Sequence, residues 1–166
     1  MAFQSSVRQF MADGVVGDIA LDGLVRATPG VLKSSDATQN LIGRAFTAVA
    51  GQDGQFVAGG LGVFAGILIN SKLYALRGTT TGTLTPSTTL PNDLPVEVCN
   101  FASGIYVTLA GSASIGDQVQ FDQITGVLTS RAPGAAASAG NTLISGAQVI
   151  RQNTSGAGLA MISLGN

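Results

Sequence analysis

The chain has no histidine, no tryptophan and one cysteine, and charged residues fill only 10% of its 166 positions. Each shortage excludes something. Without histidine there is no Ser-His-Asp or Cys-His nucleophile system, and most zinc sites lose a ligand. A lone cysteine, Cys99, cannot close an intrachain disulfide, which rules out a disulfide-built secreted scaffold. Its setting, "VEVCNF", is that of a buried structural thiol. Only Tyr74 and Tyr106 join the phenylalanines, so a stacking platform for sugars or bases is poorly supplied. The net charge is −1, and Arg8, Arg26, Lys33, Arg44, Lys72, Arg77, Arg131 and Arg151 are spread singly. That pattern gives neither a nucleic-acid stripe nor a polybasic membrane anchor. The longest apolar run, Phe56 to Ile69, has 14 residues, short of the roughly 20 that a membrane-spanning helix needs. The opening "MAFQSSVRQFMADG" lacks the basic-then-apolar layout of a signal peptide, so a cytoplasmic product is expected.

What the chain has in quantity is apolar residues, at 45%, and 23 glycines. An ordinary soluble domain carries about 25% charged residues. A surface this poor in charge is expected to be covered by neighbouring subunits. The length suits one domain: an N-terminal arm over 1–14 and a single β domain over 15–166.

Short runs of period 2 predict strands. In "GIYVTLA" Ile105, Val107 and Leu109 share a face; in "DQVQFD" Val119 and Phe121 oppose Gln118 and Gln120. "DQITGVLTS" supplies hairpin chemistry in Asp122, Thr125 and Gly126, with the glycine in a left-handed position. Val96 to Phe101 and Leu159 to Leu164 read as further strands. "LIGRAFTAVA" is read as a strand because of Gly43, and "VFAGILI" as a strand covered on both faces. Arg77 to Pro95 and Ser130 to Asn141 are rich in Gly, Pro, Ser, Thr and Ala and read as long loops. No internal repeat is visible. The expected fold is all-β, a compact sandwich or barrel of short antiparallel strands with long loops.

The candidate chemistry is thin. "GGLGVFAGILIN" contains Gly60-Leu61-Gly62-Val63-Phe64-Ala65, which fits the G-x-G-x-x-G/A pattern of a dinucleotide loop. That chemistry needs a helix starting within the motif and an acid about 20 residues later for the ribose. Here the run continues as an apolar strand and the next acid is Asp93. The glycines are read instead as bends or close approaches within a buried core strand. The nine acids are Asp13, Asp18, Asp22, Asp36, Asp53, Asp93, Glu97, Asp117 and Asp122, and most sit beside Gly, Ser, Asn or Thr as turn and cap residues do. "DIALDG" and "GQDGQ" lack the spaced ligands of a calcium loop. No catalytic residue, cofactor or metal is expected. In the arm, Phe3, Val7, Phe10 and Met11 recur at helical spacing. They are the candidate contact residues, packing either back on their own domain or on a neighbouring subunit or another protein.

Three ordered blocks, "GDIALDGLVRATPGVLKSS...NLIGRAFT", "AGGLGVFAGILINSKLYAL" and "GDQVQFDQITGVLTS", resemble the structural cement, or decoration, proteins of tailed-bacteriophage heads. The "IGRAFT" and "FAGIL" blocks are the most specific; Leu61 stands where a threonine, and Ser71 where a proline, would be expected. The resemblance implies a non-enzymatic β protein of the virion, made in the host cytoplasm. It would sit on the outside of an icosahedral head, binding the major capsid protein and reinforcing contacts between its subunits. It also implies self-association, a trimer before a dimer, and no nucleic-acid or membrane partner. The alternative is a carbohydrate- or receptor-binding β module of a phage tail or fibre, which would need a solvent-facing cluster of aromatics and carboxylates.

Overall fold

One strand organises the molecule. In the computed structural model, which describes residues 14–20, 23–69, 89–154 and 156–165, "PVEVCNFASGIYVTL" runs unbroken from Pro95 to Leu109 as β5. Before it come β1 (Val25–Leu32), β2 (Ala45–Ala48), β3 (Gln55–Ala58) and β4 (Phe64–Leu68). After it come β6 (Gln118–Asp122), β7 (Leu128–Arg131), β8 (Asn141–Arg151) and β9 (Gly158–Leu164). A single 3-10 turn, Ala37–Gln39, is the only helical element among the described residues.

The strand order is β1-β3-β2-β4-β5-β7-β6-β8-β9, with extra pairings β1–β5 and β5–β9. Those two pairings close the sheet on itself twice. β1, β3, β2, β4 and β5 form one circuit; β5, β7, β6, β8 and β9 form the other. Closure removes free sheet edges, the usual hazard of an apolar β protein. Most neighbours are antiparallel, as expected, but β1–β3 and β5–β7 are parallel.

Each circuit has its own core. The first encloses Leu32, Phe46, Phe56, Leu68, Leu90, Val96 and Val98 among others. The second encloses Ile67, Cys99, Ile105, Val107, Phe121, Leu128 and Ile162 among others. Period-2 alternation explains the division, because Ile67 and Leu68 on β4, like Val98 and Cys99 on β5, point to opposite sides. This is how "FAGIL", the strand within the expected "VFAGILI", comes to be covered on both faces. The thiol of Cys99 is fully buried, and burial pushes its pKa up.

The expected hairpin is present, with β6 and β7 paired from Gln118↔Arg131 to Phe121↔Leu128. One carboxylate oxygen of Asp122 accepts hydrogen bonds from the backbone N–H of Ile124 (3.0 Å) and of Thr125 (2.7 Å), and from the Thr125 hydroxyl (2.7 Å). Gly126 then takes φ 70°, a conformation open to glycine and strained for other residues. β1 was hidden in the sequence by Pro29. The strand tolerates it because β1 meets β3 only at Val31 and Leu32, which leaves Pro29 paired on one side alone. The loop expected at Ser130 to Asn141 lies between β7 and β8, while most of the one expected at Arg77 to Pro95 lies outside the described residues.

Candidate interaction surface

Four of the described acids hold a turn or pair with a base: Asp36, Asp93, Asp117 and Asp122. Asp36 caps the 3-10 turn, accepting from Thr38 N–H (2.9 Å) and the Thr38 hydroxyl (2.6 Å). Those bonds, with one from Gln39, hold its carboxyl below the ordinary range. Asp93 pairs with Lys33, and Asp117 accepts from Ser114 N–H at 2.9 Å. At Asp122 burial opposes ionisation, but the Thr125 and Ile124 hydrogen bonds and the Arg44 charge outweigh it and lower the pKa. Among the described residues no three of His, Cys, Asp and Glu come together as a metal would require. No described helix is long and apolar enough to cross a membrane.

The glycine motif has a different outcome from the one its sequence suggests. Only Phe64 to Ile69 enters or packs against the core. Gly59 to Val63 is the β3–β4 loop, and it holds Leu61 84% and Val63 80% exposed. This corrects the reading of the whole stretch as core. The glycines do serve close approach, since a Cβ on Gly60 would overlap the Thr47 hydroxyl.

That loop is fastened to the hairpin turn of the other circuit. Gly60 N–H donates to Gln123 O (2.6 Å), Ala45 N–H to Gly126 O (2.9 Å) and Gly59 N–H to Ala45 O (2.9 Å). The Thr47 hydroxyl donates to Gly59 O (2.6 Å), and Arg44 donates to Thr125 O (3.0 Å). A Cβ on Gly126 would overlap the Ala45 carbonyl. The "IGRAFT" block thus builds the junction between the circuits. At the tip of the hairpin turn stands Ile124, 81% exposed. Two interlocked turns therefore carry three large apolar side chains in water, a placement that gains nothing for the isolated chain. The signal in the sequence was apolar residues set between turn formers, in "GGLGV" and "DQITG".

A second feature lies on the other flank of the same hairpin turn. Val15, Val16, Leu41, Ile42, Val127 and Leu128 line most of a groove of about 530 Å³, with Arg44, Thr108 and Ala110 in its wall. The candidate contact residues Phe3, Val7, Phe10 and Met11 lie outside the described residues. Every described aromatic side chain is buried or half-buried.

An all-β scaffold whose carboxylates serve turns, and whose exposed features are apolar, has the character of a structural protein built to touch other proteins. The chain belongs to the structural cement protein family (E217 gp24/Pam3 gp6), whose model matches residues 3–165. A structural role in a phage capsid, and association with capsid proteins, come with that membership. Among solved structures, a chain from "The capsid of Myoviridae Phage XM1" is similar in fold, with a TM-score of 0.63 at 19% identity, covering 100% of this chain and 99% of that one. No curated protein matches the sequence.

Proposed function

We propose that this protein binds the outside of an icosahedral phage head and reinforces the contacts between major capsid subunits, without catalysing a reaction. The observation that carries the reading is the trio Leu61, Val63 and Ile124, exposed on two turns locked together by backbone hydrogen bonds. A rigid apolar projection suits a cement: little conformational freedom is lost when it is covered, so most of the area buried counts toward affinity. Burial of each such side chain contributes roughly 1.5 to 3 kcal/mol. Many weak contacts repeated over a shell add up through multivalency. Self-association belongs to the same reading and is supported by the 10% charge content, with a trimer expected before a dimer from the family resemblance.

The test uses heads lacking the protein. Leu61→Asp combined with Ile124→Asp should lower occupancy of the heads at least tenfold at a fixed protein concentration while leaving the melting temperature of the free protein within a few degrees. Full occupancy by the double variant would overturn the assignment of these side chains to the shell contact.

A further inference from the structure

The groove beside the hairpin turn has a wall that accepts apolar groups and little else. Its charged member, Arg44, is already engaged through Nη1, which donates to the Gln39 side chain and to Thr125 O, and it faces the Asp122 charge. A ligand that needs a hydrogen-bonding or ionic partner gains little there, whereas an apolar side chain leaves water for a surface of Val, Ile and Leu.

Where the groove lies matters as well. Thr108 and Ala110 come from the end of β5, and Val127 and Leu128 from the start of β7. These two strands share a single register pair, Leu109↔Leu128, supplemented by Ala110 N–H to Leu128 O at 2.9 Å. The groove therefore runs over the thinnest seam of the second circuit. Its opposite wall, Leu41 to Arg44, leads into β2 of the first.

Two observations identify what covers it. Val15 and Val16 are part of the groove's own lining, and Val15 is 58% exposed there. The 13 residues that precede Gly14 are thus tethered at the groove's rim. Those residues also carry Phe3, Val7, Phe10 and Met11 among Gln, Ser and Arg residues. Four residues of extended chain reach roughly 13 to 14 Å, so Phe10 can enter the groove from its tether at Gly14. A segment held this close competes at a millimolar effective concentration, ahead of any free partner.

We propose that the N-terminal arm folds back into this groove of its own chain, with Phe10 and Met11 seated on the β5–β7 seam. The arm then acts as a latch: it covers the seam and ties the lead-in of the first circuit to the hairpin of the second. The inference concerns the free protein and does not depend on how the head is bound.

The test is made on the full-length chain. Thr108 is exposed, so Thr108→Cys places a thiol on the groove wall without disturbing a core. Cys99 is fully buried, and its failure to react serves as the check that each variant is folded. Alkylation of the Thr108→Cys thiol should be at least tenfold slower in the full-length chain than in the same variant carrying Phe10→Gln and Met11→Gln. Equal rates would overturn the proposal. A second variant, Phe10→Cys with Thr108→Cys, should form its disulfide within a single chain under mild oxidation. A disulfide-linked dimer would show that another copy's arm fills the groove and would equally overturn it. Neither variant touches Leu61, Val63 or Ile124, so the outcome is separable from that of the head-binding experiment.

Discussion

The two circuits sit side by side on a shared strand, yet they are held together differently. Among the described residues, 17 hydrophobic residues cluster in the second circuit and nine in the first, the smaller cluster. Hydrogen bonding supplements it. Asn40 donates to Leu90 O (3.0 Å) and to the Asn92 side chain (2.9 Å). Asn92 in turn donates to Ser34 O (2.7 Å), and the Ser34 hydroxyl accepts from Ala58 N–H (2.9 Å). Such a network favours one arrangement because others would leave more buried polar groups unpaired than the single Asn40 Oδ1 that lacks a partner here. The second circuit has a polar set of its own, in which buried Gln120 donates to the Thr129 hydroxyl (3.0 Å) and the Ser138 hydroxyl (3.1 Å), so the two cores differ in size and share a sheet because β5 alternates its side chains between them.

The largest expected effect is in the second core. Phe121 is fully buried and meets the Phe64 ring at 6.0 Å between centroids, so Phe121→Ala should cost about 3 to 5 kcal/mol in denaturant unfolding. Because β5 belongs to both circuits, the loss should appear as one cooperative transition. A second transition in which the first circuit survives alone would break the comparison.

Next come the neighbours on β4. Leu68→Ala and Ile67→Ala should each cost about 2 to 5 kcal/mol, but they open cavities in different cores. Hydrogen exchange should quicken first in β2 and β3 for the Leu68 variant, and first in β6 and β9 for the Ile67 variant. Identical exchange patterns would mean that the two cores behave as one.

At the junction, Gly126→Ala forces an alanine into a left-handed conformation at about 1 to 3 kcal/mol and drives its Cβ against the Ala45 carbonyl. A lowered melting temperature with faster exchange at Gly60 and Ala45 is the expected result. Asp122→Asn should act mainly through pH. The folded pKa of Asp122 lies below its unfolded value, near 3.9 for a free aspartate. Its contribution is therefore fully present above that value and is lost as pH falls through the folded pKa. The amide variant should show a flatter dependence of melting temperature on pH below about pH 4 than the parent protein. The smallest effect on stability is that of Leu61→Asp, within about 0.5 kcal/mol, since the side chain touches little in the free chain.

Much of the second circuit is legible in the residues themselves. The β6–β7 hairpin announces itself through alternation and through Asp122, Thr125 and Gly126, because each of those contacts spans four residues or fewer. β9 and the two halves of β5 follow from period 2. The continuity of β5 through Ser103 and Gly104 does not, since it depends on pairing to β1 on one side and β9 on the other, with a register shift between Ala102 and Ile105. β8 escapes the pattern for a related reason. Its pairing to β6 jumps from Gln118↔Gln148 to Gln120↔Leu143, so the intervening residues bulge out of the alternation.

By itself the sequence determined the all-β class, the hairpin and the poverty of catalytic groups, because these rest on local periodicity, turn chemistry and which side chains exist at all. Only the tertiary structure decided that Leu61 and Val63 stand in water while Ile67 and Leu68, from the same apolar run, are fully buried. The difference is made by Gly60 bonding to Gln123 and Ala45 to Gly126, contacts between segments far apart in the chain. They hold the middle of the run, Gly59 to Val63, outward as a loop between β3 and β4. No local rule of hydrophobicity distinguishes Leu61 and Val63 from Ile67 and Leu68, because what separates them is pairing between segments distant in the chain.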